Sequence, residues 1–141
     1  MNISEKLKNL TKDLVVLYVE DEKDTRSQVS QILQIFFKKV LVGQNGEEAL
    51  EIYKENYIDL VMTDLTMPRM DGISMLKKIK EIKNSQHAIV LTAHNSSEHL
   101  METIELQIDG FLLKPIKMDK MIELLFKVAN TIVLENEKIN F

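Results

Sequence analysis

The chain predicts an α/β fold: three layers, α/β/α, around a doubly wound, five-stranded parallel sheet. Three observations predict it. Five short apolar runs rich in Val, Ile and Leu hardly alternate in polarity, as strands do when both faces are covered. Amphipathic stretches with helical spacing separate them. The β-α pairing repeats five times along 141 residues, which implies helices on both faces and right-handed crossovers.

The elements follow in order. Residues 1–13 form an N-terminal extension, in which Ile3, Leu7 and Leu10 have the spacing of a short amphipathic helix; a frayed terminus fits the same segment. Leu14–Val19 is the first strand. Val29, Ile32, Leu33 and Phe36 form the stripe of the helix after it. Lys39–Val42 is the second strand, and Asn45 with Glu47 and Glu48 reads as an N-cap with an acidic first turn. Ile58–Thr63 is the third strand, followed after Gly72 by Ile73, Leu76, Lys77 and Ile79. Ala88–Thr92 is the fourth, and Ser96-Ser97-Glu98 caps a helix through Leu106. Phe111–Leu113 is the fifth. Met118–Glu135 is the longest helix, with Met121, Ile122, Leu125, Val128, Ala129 and Ile132 inward.

The domain proper is expected over 14–130, with 131–141 continuing the last helix. No Gly or Pro stops that helix before Asn140-Phe141. Either it frays there, or it is a truncated connector of a longer protein. Ile132, Val133 and Ile139 suit extension or dimerisation, over a span too short for sustained heptads.

Composition excludes several classes. At this length roughly 68–70% of the unfolded surface can be buried, so no covalent staple is needed. The net charge is -4, which gives no electrostatic reason to expect nucleic acid or an anionic membrane. No cysteine is present, so disulfides, thiolate metal sites and a cysteine nucleophile are excluded, in keeping with the cytoplasm. No apolar stretch approaches the ~20 residues of a membrane span.

Carboxylates collect where strands end. Asp64 closes the third strand and Glu20-Asp21-Glu22 follows the first. Ligands of open α/β sheets bind at that carboxyl rim. Convergent carboxylates bind a hard divalent cation. Asp64 is thus a candidate ligand and a candidate nucleophile. Blander roles fit the same residues one at a time. Asp64 suits a turn cap, Glu20-Asp21-Glu22 a helix start, Lys114 a solvated lysine, Thr92 an ordinary strand position and Phe111 the core. The Lys114–Pro115 bond is a candidate cis peptide. His87, His94 and His99 lack ligand spacing. Met62, Met67, Met70 and Met75 are expected to fill gaps around the core.

Taken together these residues resemble the receiver domain of two-component response regulators. Glu20-Asp21 matches that family's acidic pair, and Asp64 its phosphoacceptor. Met67-Pro68-Arg69-Met70-Asp71-Gly72 matches the loop that follows. Thr92-Ala93 matches the switch hydroxyl and its small neighbour. Phe111, Lys114 and Pro115 match the switch aromatic, the phosphate-binding lysine and its proline. The match runs from about Leu14 to Ala129.

The resemblance implies a flavodoxin-like strand order, 2-1-3-4-5. It implies that Asp64 takes a phosphoryl group from a sensor histidine kinase or a phosphotransfer protein. It implies Mg²⁺ held by Asp21, Asp64 and the Thr66 carbonyl, with Glu20 acting through a metal-bound water. Lys114 balances charge, while Thr92 and Phe111 report the change. The output surface would be the domain's fourth helix, fifth strand and fifth helix, also a candidate homodimer face. The listener would be a partner protein or a C-terminal effector domain. The resemblance implies a signalling phosphoacceptor that catalyses its own phosphorylation and dephosphorylation, and no enzyme with an independent substrate. Thr66 and His94 occupy positions that influence loss of the phosphoryl group.

The chemistry stands on its own terms. A carboxylate can attack phosphorus and form an acyl phosphate. The attacking and leaving oxygens lie roughly in line, with negative charge on the equatorial oxygens, so cations are needed. Mg²⁺ keeps several waters and needs few protein ligands. Two alternatives share the layered fold. A haloacid-dehalogenase-like phosphatase would want a second Asp two residues after the nucleophile, where Thr66 stands. A flavin-binding module would want a Ser-, Thr- or Gly-rich loop after the first strand, where Glu20-Asp21-Glu22 would repel the flavin phosphate.

Overall fold

The computed structural model describes residues 1–93 and 97–139, apart from the side chains of residues 97–100 and 139. His94, Ser96, Asn140 and Phe141 lie outside the described residues, as do the side chains of Ser97, Glu98, His99 and Ile139. The elements are α1 (Ile3–Thr11), β1 (Val15–Val19), α2 (Lys23–Phe36), β2 (Lys39–Gly43), α3 (Gly46–Glu55), β3 (Leu60–Asp64), α4 (Gly72–Ile82), β4 (His87–Thr92), α5 (Ser97–Glu105), β5 (Gly110–Leu113) and α6 (Met118–Ile139). All strand pairs are parallel, in the order β2-β1-β3-β4-β5.

Side chains alternate across the sheet with period two. Val16 and Tyr18 of β1 enter one core with Leu33 of α2 and Met121, Leu125 and Val128 of α6. Leu17 and Val19 enter the other with Ala49 and Tyr53 of α3 and Leu76 and Ile79 of α4. Both cores are apolar, which is why the strand sequences show so little alternation. Met62 and Met75 are fully buried gap-fillers, and Met67 is nearly so.

Local chemistry sets the ends of the helices. Glu22, Asn45 and Asp71 cap α2, α3 and α4, each accepting from backbone N–H groups of the first turn. The third strand starts at Leu60, two residues later than the apolar run suggested. Asp59 N donates to the Val15 carbonyl at 2.9 Å and Asp59 Oδ2 accepts from Val15 N at 2.8 Å, so a side-chain oxygen takes the Val15 N–H there. Lys77 lies on the solvent face of α4, 3.9 Å from Glu102, and Met75 is buried in the core as expected. The helical stripe of α4 is wide enough to take Ile73, Met75, Leu76 and Ile79 without Lys77.

Helix α1 packs against α6 and α2. Leu7 is fully buried there, and the Thr11 hydroxyl donates to the Phe36 carbonyl at 2.7 Å. That bond satisfies one of the carbonyls left open at the end of α2. No helix among the described residues is long and apolar enough to cross a membrane.

His87 joins three elements at the opposite end of the sheet from Asp64. Its Nδ1 lies 2.9 Å from Asp109 and its Nε2 2.7 Å from Glu135 of α6. The bond to Asp109, helped by Glu135, raises the imidazole pKa, and burial only partly opposes this. Stability from a raised histidine is fully present below its unfolded pKa of about 6.5 and is lost as pH rises through the folded value. The stability lost on His87→Gln should therefore be larger at pH 6 than at pH 9, by on the order of 1 kcal/mol. Urea midpoints at the two pH values measure it; equal losses would show that the bridge contributes nothing through charge.

Candidate functional site

Parallel pairing brings the acidic strand ends together. Val19 of β1 stands beside Thr63 of β3, so Glu20 and Asp64 emerge as neighbours. Thr92 of β4 pairs Leu113 of β5, and Lys114 N donates to the Thr92 carbonyl at 2.9 Å. The Lys114–Pro115 bond is cis. The strand order reverses at β1 and β3, the crevice where α/β sheets bind ligands.

Lys114 is the centre of the charge arrangement. Its Nζ lies 2.8 Å from Asp64 Oδ2 and 3.0 Å from Glu20 Oε1. Glu20 is fully buried and its second oxygen accepts from Glu22 N at 3.2 Å. Burial raises the Glu20 pKa, and the Lys114 bond pulls it back only in part. Burial would lower the lysine, but its bonds to Asp64 and Glu20 prevail and raise it. The ammonium is thus held charged between two carboxylates. Beneath them Tyr18 is fully buried; burial, with the charges of Glu20 and Asp64, pushes its hydroxyl far above the ordinary range and keeps it neutral.

Asp21 sits on the exposed rim, yet one oxygen each from Glu20, Asp21 and Asp64 lie within 4.8 Å of one another. Three carboxylates at that spacing suit a hard divalent cation such as Mg²⁺, which prefers oxygen donors and retains waters. Glu20 is the fully buried member of the trio and its carboxylate accepts from Lys114 Nζ at 3.0 Å, while Asp21 is the exposed member.

The remaining site residues surround this cluster. Thr92 is nearly buried, and its hydroxyl lies 3.0 Å from the Ala93 carbonyl. Thr66 is exposed, two residues past Asp64. Phe111 is half-buried against the α3/α4 core. Sequence reasoning missed Arg26, whose Nη1 donates to the Glu20 and Asp21 carbonyls. No side-chain pattern could have found it, because both of its partners are backbone carbonyls.

Gly72 holds the loop after Asp64 closed. Its N donates to the Leu65 carbonyl at 2.9 Å. A Cβ there would stand 2.2 Å from the Asp64 carbonyl oxygen. Backbone cannot yield as a flexible side chain would, so Gly72→Ala should cost about 2–3 kcal/mol and displace Asp64. Chemical denaturation checks the stability. A variant as stable as the parent would mean that the loop relaxes freely.

A doubly wound α/β domain with a cation-ready acidic cluster and a lysine at its carboxyl rim is a class shared by signalling receivers. The profile of the response regulator receiver domain matches residues 16–126. The chemotaxis protein CheY of Bacillus subtilis is 35% identical over 116 residues, 82% of this chain and 97% of CheY. The N-terminal domain of an uncharacterized protein from Wolinella succinogenes superposes with a TM-score of 0.81 at 30% identity, over 86% of this chain and 98% of that one. A CheX–CheY–BeF₃–Mg²⁺ complex from Borrelia burgdorferi contains a chain at TM-score 0.75 and 31% identity, covering 82% of this chain and 88% of that one. The chain belongs to the response regulator receiver family, a signalling domain rather than a metabolic enzyme.

Proposed function

We propose that the chain is a phosphorylation-controlled switch in which Asp64 takes a phosphoryl group from a histidine kinase or phosphotransfer protein. The observation that carries this is Lys114 Nζ held 2.8 Å from Asp64 beside two further carboxylates. Asp64 supplies the attacking oxygen; its bond to phosphorus forms as the bond to the donor's leaving group breaks. Lys114 faces the charge on the transferring group, as a compact point charge that needs no reorganisation. Asp21, Asp64 and the Thr66 carbonyl would hold Mg²⁺, with Glu20 acting through its water, and the ion supplies neutralisation of the phosphoryl oxygens. Catalysis here means the domain's own phosphorylation and dephosphorylation. The chain's likeness to the receiver of the CheX–CheY–BeF₃–Mg²⁺ complex supports the same reading.

Modification adds about -1.5 to -2 of charge to Asp64. The Thr92 hydroxyl then donates to a phosphoryl oxygen, and Phe111 turns inward into the space it leaves. Moving such a switch from 1:99 to 99:1 takes about 5.5 kcal/mol. One charged hydrogen bond of roughly 1.5–3 kcal/mol supplies part of that, and the added charge facing Lys114, which already contacts Asp64, supplies more. The output face is α5, β5 and α6, where Met101, Ile104 and Leu113 are exposed. A partner protein, a downstream effector domain or a second copy reads it, in the cytoplasm. The receiver unit is 14–130, with 1–13 an added N-terminal segment and 131–141 the end of the last helix or the start of a connector.

Incubation with a small acyl phosphate and Mg²⁺ should add one phosphoryl mass, located by peptide mapping on residue 64. A protein that gains none under these conditions is not this switch. Steady release of phosphate from a monoester would instead favour a phosphatase.

A further inference from the structure

Arg26 is half-buried on α2. Its Nη1 carries two N–H bonds, and it donates to the Glu20 carbonyl at 3.0 Å and the Asp21 carbonyl at 3.2 Å. Those two residues are also the ones whose carboxylates converge with Asp64. Both stand beyond the end of β1, where the ladder to β3 has stopped. Glu20 keeps one sheet-like bond, from its N to the Gly43 carbonyl at 3.1 Å, and Glu22 turns the chain into α2 by capping it. A carbonyl's direction sets its peptide plane, and with it the path on which the next side chain leaves the backbone.

We propose that Arg26 is a positioning residue for the metal-binding carboxylates, clamping both carbonyls of Glu20 and Asp21 so that their side chains converge on Asp64. The proposal rests on the receiver reading above and extends it to a residue outside the acidic cluster and Lys114. A planar guanidinium with a fixed fork suits two acceptors; a lysine ammonium on a flexible stem does not hold both in one geometry.

Charge and positioning predict opposite signs, which makes the test decisive. Arg26 is a cation close to a cation site. If it acted through charge alone, removing it would relieve repulsion and tighten Mg²⁺ binding. If it positions the ligands, removing it loosens them, as loss of groups that orient metal ligands weakens binding by about 10–100-fold. The probe is Mg²⁺ itself, titrated by calorimetry against the full chain, with Mn²⁺ spectra as an independent readout. R26Q should bind Mg²⁺ about tenfold more weakly, and R26K should recover part of that loss. Phosphoryl uptake by R26Q should fall at low Mg²⁺ and return at saturating Mg²⁺, which a general loss of structure would not do.

Wild-type-like or tighter Mg²⁺ binding by R26Q overturns the proposal while leaving the receiver reading intact. Wild type that neither binds Mg²⁺ nor takes a phosphoryl group overturns the receiver reading instead. Should R26Q fail to fold, R26K decides alone: weaker Mg²⁺ binding supports the clamp, and unchanged binding removes it.

Discussion

Asp64→Asn should abolish phosphoryl uptake altogether while leaving the fold in place. The amide is close in size to the carboxylate, and residue 64 is nearly buried in a packed rim, so volume is conserved. What disappears is the nucleophile: an amide oxygen bears no full charge and forms no stable acyl phosphate. The substitution also leaves Lys114 with Glu20 as its remaining carboxylate partner among the described residues. Mass spectrometry after incubation with an acyl phosphate reads the reaction, and circular dichroism reads the fold. A folded variant that still gains one phosphoryl group at residue 64 or beside it would falsify the assignment of Asp64.

Lys114→Met should have the next largest effect, on both reaction and stability. Loss of one preorganised charge opposite developing negative charge typically slows a reaction on the order of a hundredfold. Stability falls as well, because Glu20 is fully buried and Asp64 nearly so. Removing one partner of a fully buried pair costs about 3–5 kcal/mol; Lys114 is partly exposed and Glu20 can take up a proton, so about 1–3 kcal/mol is expected at pH 7.

The sign of the pH dependence follows from Glu20. Its carboxyl is already raised by burial, with Lys114 holding it down in part, so the variant raises it further. An acid raised in the folded state weakens the fold as pH climbs from its unfolded pKa through its folded one. The deficit of Lys114→Met should therefore shrink at pH 5 and widen toward pH 8. Urea titrations across that range measure it. A deficit independent of pH would assign the loss to packing of the lysine stem rather than to charge.

Much of the site was legible because it lies at strand ends in a fixed order. Asp64, Lys114 and Thr92 each follow an apolar run, and such runs mark buried strands. Arg26 was not legible. Its partners are backbone carbonyls, which every residue has, and no side-chain pattern announces them. The bridge from His87 to Asp109 and Glu135 was equally hidden, since its members are 22 and 48 residues apart in sequence.

Local chemistry along the chain determined the alternation of strands and helices, the caps at Asn45 and Asp71, and the supply of carboxylates to one rim. Those features depend on periodicity and on neighbours a few residues apart. The family resemblance supplied the strand order that the sheet shows, and tertiary structure alone decided that Glu20 reaches Lys114 directly and that α1 covers α6. The physical reason is that such contacts join segments far apart in sequence. They are selected by which faces bury together and which charges can then be paired, and no local pattern records that choice.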